Sequence, residues 1–200
     1  FGLKSKGVQY IGYFFAVIYM IFIDSIINMQ NMFNVFVSLF LLILLIYTVL
    51  FHGKTNAEEG MLSFFGFFYV MFLLSHVFLI RSYTYGNVFI WLAFISAWGC
   101  DTGAYFAGFF FGKHKLIERI SPKKTVEGSI GGILFGTLLA GVLGTGYYIG
   151  LPLWQVWCLA LLLTVTSQFG DLIFSALKRH YHIKDFSDLL PGHGGVLDRL

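Results

Sequence analysis

Asp171 is followed four residues later by Ser175, and then by the adjacent pair Lys178 and Arg179. On a helix these spacings stack a carboxylate, a hydroxyl and two cations along one face. A helix end with snorkelling cations accounts for Lys178 and Arg179, but not for an acid beneath them inside an apolar run. Shortly after comes Lys184-Asp185, and then Pro191-Gly192-His193-Gly194-Gly195-Val196-Leu197-Asp198-Arg199. Pro191 and the three glycines impose an irregular backbone whose N–H groups can face a ligand, with His193, Asp198 and Arg199 hanging from it. Upstream, Ser121-Pro122-Lys123-Lys124-Thr125 stands just before another apolar run. If a helix begins near Thr125, its free N–H groups and positive dipole end point at an anion; the competing reading is that the lysines only hold anionic lipid headgroups. Asp101, in Trp98-Gly99-Cys100-Asp101-Thr102-Gly103-Ala104-Tyr105, is an acid at membrane depth. It is costly unless paired, hydrated or metal-bound, and so is a functional candidate, against the alternative of a hydrogen-bonded packing residue.

Asp171 and Asp198, joined by Asp101, offer hard oxygen donors, and no Cys/His set suited to zinc accompanies them. Mg²⁺ takes one or two carboxylates and completes its shell with water and substrate phosphate. Cations around such a site suit a polyphosphate, so the residues point to phosphoryl or nucleotidyl transfer, where catalysis is mostly positioning and charge neutralisation.

The elements that must hold these groups are membrane spans. Of 200 residues 58% are hydrophobic and only 12% charged, against about 25% charged in soluble domains. Apolar runs near the roughly 20 residues that cross a bilayer recur, giving six candidate spans: Val8–Ile27, Met32–Phe51, Met61–Ile80, Asn87–Phe111, Gly128–Gly150 and Leu153–Leu177. The expected fold is therefore an all-α polytopic bundle. Residues 1–86 read as lipid-facing scaffold helices and 87–200 as the catalytic half of one integrated membrane domain. With a cytoplasmic N-terminus, every Lys and Arg except Arg81 falls on the inside, as the positive-inside rule requires, so the polar loops are expected to face the cytoplasm. Gly128, Gly132 and Gly136, like Gly108 and Gly112, recur at four-residue spacing, which lets helix backbones approach closely.

Cys100 and Cys158 sit in apolar stretches and suggest neither a disulfide nor a metal knuckle. A formal charge of +3 is too small to argue for a nucleic-acid partner. The chain opens at Phe1 and stops at Leu200 straight after the polar motif, and reads as a fragment. No signal peptide with a small-residue cleavage site is visible behind Phe1.

In Ser175-Ala176-Leu177-Lys178-Arg179, Lys184-Asp185 and the Pro191–Arg199 element, the chain closely resembles the CDP-diacylglycerol synthase family. Gly170-Asp171-Leu172, the Asp101–Tyr105 run and Ser121–Thr125 extend the likeness over the second half, while the first half resembles the family only as hydrophobic spans. The family's further acidic residue and closing helix beyond the position of Leu200 are missing here.

The resemblance implies a Mg²⁺-dependent, cytoplasm-facing site in which an oxygen of phosphatidic acid attacks the α-phosphorus of CTP and pyrophosphate leaves. It implies Asp171 and Asp198 as metal ligands, and Lys178, Arg179, Lys184 and Arg199 as phosphate neutralisers. Ser121, Lys123, Lys124 and Thr125 would contact substrate phosphates, with Ser175 and Asp101 in the substrate site. His193 would be a loop organiser or a donor to pyrophosphate. A second cation is compatible with this site, a homodimer is a family expectation, and the bilayer would be the plasma membrane of a bacterial source. The competing enzyme reading is a CTP-dependent polyprenol or phytol kinase, which delivers the γ-phosphate. A more remote one is an ion-coupled transporter with Asp101 and Asp171 on its pathway.

Overall fold

The computed structural model describes residues 5–28, 30–147 and 150–183. Its elements in chain order are α1 (Lys6–Ile21), α2 (Ile23–Asn28), α3 (Gln30–Leu50), α4 (Ala57–Gly66), a π-helical segment (Phe67–Phe72), α5 (Leu73–Arg81), α6 (Gly86–Phe111), β1 (Lys115–Ile117), β2 (Ser121–Thr125), α7 (Val126–Gly146) and α8 (Leu153–His180). The chain is a polytopic helical membrane protein. Among the described residues five helical runs are long and apolar enough to span a bilayer: Asn31–Leu50, Ala57–Arg81, Gly86–Phe111, Val126–Gly146 and Leu153–His180. These correspond to five of the six expected spans. The first, Val8–Ile27, is divided: α1 ends at Ile21 and the chain turns at Phe22 before α2. At 1.5 Å per residue, α1 is about 24 Å long, short of the ~30 Å hydrocarbon core.

The chain falls into two compact units, Phe1–Leu79 and Ile80–Leu200. The first is organised by aromatic rings. Phe15, Tyr19, Phe36, Phe40 and Phe67 are buried together, with Phe15 stacked on Phe40 at 4.7 Å and Phe67 edge-on to Tyr19 at 5.3 Å, arrangements that the ring quadrupole favours. The buried Tyr19 hydroxyl lies 2.9 Å from Ser75 Oγ. Since Ser75 Oγ already donates to the Phe72 carbonyl at 2.6 Å, Tyr19 is the donor. Phe72 ends the π-helical segment, where the regular ladder is disturbed, and its carbonyl also meets His76 Nδ1 at 2.9 Å.

The second unit packs α6, α7 and α8 with the β1–β2 hairpin. Small residues draw α6 and α7 together, as expected where lipid gives helices no hydrophobic reason to associate. Gly128, Gly132, Gly136, Ala140, Gly141 and Gly144 are all buried on α7. A Cβ at Gly136 would stand 2.8 Å from the Ser96 carbonyl and 2.9 Å from the Cys100 nitrogen. One at Gly128 would stand 2.8 Å from the Ala104 carbonyl. The four-residue glycine spacing is thus the contact surface between two helix backbones. Farther along, Leu92, Ala140, Val156 and Ala160 form a buried cluster joining all three helices.

The hairpin was not foreseen. β1 and β2 pair antiparallel, Lys115 opposite Thr125 and Ile117 opposite Ser121, with an irregularity between Lys115 and Ile117. Strands this short carry little periodicity against a background of helix-length apolar runs. What fixes them lies at their root: Val126 N–H donates to the His114 carbonyl at 2.9 Å, and the Glu127 carboxylate accepts from Lys113 N–H at 3.1 Å and His114 N–H at 3.2 Å. His114 Nδ1 lies 2.6 Å from the same carboxylate. Glu127→Ala is expected to loosen this clasp selectively. Amide exchange at residues 113–125 should accelerate roughly tenfold while the buried α6–α7 interface stays protected, since local opening draws on local bonds. Hydrogen–deuterium exchange in detergent reads both.

Candidate active site

The helices that frame the hairpin also frame a cavity. Its volume is about 380 Å³, and it opens where the C-terminal part of α6, the first turn of α7 and the second half of α8 converge beside β2. Asp101, Lys123, Lys124, Ser129 and Gln168 supply its polar lining, and Tyr105, Phe109, Leu116 and Leu172 an apolar wall. Charge and hydrocarbon surface therefore meet in one space, as a site for an amphiphile requires.

Asp171 pairs directly with Lys124: the ammonium donates to carboxylate Oδ2. The pair spans 47 residues of sequence and is a contact that helical spacing could not disclose, because the sequence placed Asp171 with Lys178 and Arg179 on its own helix. Asp171 retains 51% and Lys124 32% side-chain exposure, so both remain open to a ligand. Asp101, exposed along the cavity, is near enough to interact electrostatically with both Asp171 and Lys124.

One carboxylate and two lysines thus line the cavity, and a second carboxylate, Asp171, is joined to it through Lys124. This donor set fits Mg²⁺, which needs only one or two protein carboxylates. Among the described residues no group of three or more His, Cys, Asp or Glu could hold a metal ion.

The Ser121–Thr125 segment lies in β2, from which Lys123 and Lys124 reach the cavity. Helix α7 begins at Val126, one residue from the expected start, with Thr125 as its N-cap. Its leading N–H groups are, however, partly taken. Gly128 N–H donates to Thr125 Oγ1 at 3.1 Å and Val126 N–H to His114. An anion at this helix start would therefore meet the lysine ammonium groups more than free amides. Ser121 sits at the start of β2, half-buried and paired across to Ile117. Ser175 lies on α8, half-buried, four residues past Asp171. Lys178, Arg179 and His180 occupy the last turn of α8, where cations complement the helix dipole. Arg179 Nε donates to the Ile120 carbonyl at 3.3 Å, so α8 holds the hairpin tip as well as its Asp171–Lys124 side. Lys184, His193, Asp198 and Arg199 lie outside the described residues.

Sequence reasoning gave no part to Gln168 or Cys100. The Gln168 carbonyl accepts from Ser129 Oγ at 2.6 Å, and its amide nitrogen donates to the Ser129 carbonyl at 2.8 Å and to Cys100 Sγ at 3.2 Å. The available signal was the isolated primary amide inside an apolar span, a group that needs partners in lipid.

Comparison with known proteins places this site in context. Residues 3–200 match the model of the cytidylyltransferase family. Among curated relatives, the phosphatidate cytidylyltransferase of Bacillus subtilis (strain 168) is 41% identical over 159 residues, covering 79% of this chain and 59% of the relative. That of Staphylococcus saprophyticus is 38% identical over 157 residues, covering 78% and 60%. That of Staphylococcus aureus (strain COL) is 39% identical over 159 residues, with 78% and 60% covered. The chain spans about 60% of the length of the curated relatives it matches.

Proposed function

The chain belongs to the cytidylyltransferase family, and on that premise we propose that it works as a phosphatidate cytidylyltransferase, converting CTP and phosphatidic acid to CDP-diacylglycerol and pyrophosphate. The observation that carries this reading is the cavity lined by Asp101, Lys123 and Lys124 beside Tyr105, Phe109 and Leu172, with Asp171 paired to Lys124 at its edge. A phosphate headgroup with acyl chains needs both surfaces, and the relatives' shared name matches them to a lipid phosphate and CTP.

In the proposed reaction a phosphate oxygen of phosphatidic acid attacks the α-phosphorus of CTP. The P–O bond to the β-phosphate breaks, and its electron pair leaves with pyrophosphate. A phosphate monoester has its second pKa near ~6 and is largely dianionic at neutral pH, so no strong general base is needed. Lys123 and Lys124 bind and neutralise the polyphosphate. In this reading Lys124 exchanges its Asp171 partner for a phosphate oxygen, an exchange made easy by the exposure of both groups. Asp171 and Asp198 would hold Mg²⁺, with Asp101 as a further oxygen donor; when bound, the ion would supply charge neutralisation at the transferred phosphate and the leaving group. Lys178, Arg179, Lys184 and Arg199 extend the cationic surround, with His193 at the pyrophosphate end. Ser121, Thr125 and Ser175 supply hydroxyls nearby.

In this reading the hairpin and the end of α8 face the cytoplasm, where CTP is found; the distribution of Lys and Arg supports it. The named relatives are bacterial, which fits the plasma membrane.

The test is incubation of the purified full-length protein with α-labelled CTP, phosphatidic acid and Mg²⁺ in detergent. Label entering lipid with matching pyrophosphate release is expected. CDP accumulating beside a newly phosphorylated lipid would replace this reading with a lipid kinase, and CTP left intact would end the transferase reading.

A further inference from the structure

Gln168 ties all three helices of the second unit together by side-chain hydrogen bonds. From α8 it reaches Ser129 on α7 twice and Cys100 on α6 once. Both amide protons and the carbonyl are engaged, and because the Ser129 carbonyl can only accept, a flipped amide would set its own oxygen against that carbonyl and lose the bond. Room for it is made by Gly132: a Cβ there would meet Gln168 Nε2 at 3.0 Å and the Cys100 carbonyl at 2.7 Å. Gln168 also lines the cavity that holds Asp101 and Lys124.

Asp171 stands three residues further along the same helix, close to one turn away. A rotation of α8 about its axis would break the Gln168 bonds and swing Asp171 from Lys124 together. Beyond these bonds, α8 is held on the hairpin side by Arg179 Nε on the Ile120 carbonyl, two turns past Asp171. Gly170 faces open space, Phe169 and Ile173 are exposed, and the buried Thr164 bonds only to the Ala160 carbonyl of its own helix at 2.8 Å.

We propose that Gln168 is a positioning residue: its amide, clasped by Ser129 and Cys100, fixes the face of α8 that presents Asp171 to Lys124 at the cavity mouth. The kinetic part of this proposal rests on the cytidylyltransferase reading; the geometric part does not. Gln168 touches neither reacting group and acts through the Asp171–Lys124 pair.

The decisive variant in the full-length protein is Gln168→Met, which keeps length and bulk and removes every bond. The expected kcat falls by about tenfold to a hundredfold, the scale of a small misplacement of reacting groups, with KM for both substrates held within about twofold. Thr164→Val, a buried change on the same helix, should leave kcat alone. In a Lys124→Met background, Gln168→Met should cost little more, because both changes act on one pair; a residue that merely supported the fold would add its full effect. Should Gln168→Met fail to accumulate, Ser129→Ala removes only the hydroxyl and should show the same pattern more weakly.

A second arm needs no activity. In a Cys158→Ser background, which removes the exposed thiol and leaves the buried Cys100, Lys124→Cys with Asp171→Cys is bridged by a short bis-methanethiosulfonate. Gln168→Met should slow the crosslink severalfold. An unchanged crosslinking rate, or full kcat in an active Gln168→Met enzyme, overturns the proposal. An inactive parent protein with a slowed crosslink would instead sink the cytidylyltransferase reading and leave the positioning role standing.

Discussion

Asp171→Asn is expected to lower turnover by about 10²–10³-fold or more, the loss seen when one preorganised electrostatic contact is taken from a transition state, while the protein stays folded. Magnitudes separate the two effects. The Asp171–Lys124 pair is about half-exposed on the acid side and a third on the lysine side, and ion pairs of that kind contribute only about 0–1 kcal/mol to stability. Asn keeps the shape and one acceptor oxygen for Lys124, so the fold loses little. What it lacks is the charge that a cation and a polyphosphate-binding lysine both require. The measurement is kcat with CTP and phosphatidic acid beside the thermal midpoint in the same detergent. A midpoint within a few degrees and a collapsed kcat support the role; near-normal kcat removes Asp171 from the site. Asp198→Asn should behave alike if Asp198 is the second ligand.

How much of this could be read from sequence differs by element for physical reasons. Spans announce themselves because every residue facing lipid must be apolar, and so α3, α6, α7 and α8 lie within a few residues of their expected limits. The α1–α2 break at Phe22 was passed over because the apolar run continues through Phe22 and Ile23; Asp24 and Ser25 just beyond were its polar signal. Asp101, Asp171, Lys123 and Lys124 were legible as isolated polar groups at an apolar boundary, and three of the four line the cavity. Their partnership was not legible. Lys124 and Asp171 meet across 47 residues, and nothing local in either segment specifies the other. Gln168 is the same lesson at one residue: a mid-span amide signals a need for partners, but only the packing of α6, α7 and α8 says that Ser129 and Cys100 meet it. The hairpin depends on Glu127 reaching back to Lys113 and His114, a clasp that reads in sequence as a charged loop.

The packing of α6 on α7 yields the other large effect. Gly136→Leu is expected to prevent the second unit from assembling. An ideal Cβ at Gly136 already falls 2.8 Å from the Ser96 carbonyl oxygen, 2.9 Å from the Cys100 backbone nitrogen and 2.8 Å from Thr164 Cγ2. The Thr164 methyl can turn aside; the two backbone atoms belong to α6 and move only if the helices part. Even Gly136→Ala should cost about 1–3 kcal/mol, the usual scale of overpacking, and separating the helices would carry Cys100 away from Gln168 and Ser129 as well. Gly146 on the same helix faces open space, so Gly146→Ala is the control. It should be neutral or stabilise by roughly 0.5–1 kcal/mol, since glycine is the poorer residue within a helix. Yield and thermal midpoint of purified protein in detergent should rank Gly146→Ala at or above the parent, Gly136→Ala below it and Gly136→Leu absent. If Gly136→Leu were recovered at parental yield and midpoint, the close approach of α6 and α7 would not be what holds Asp101 opposite Lys124 and Asp171.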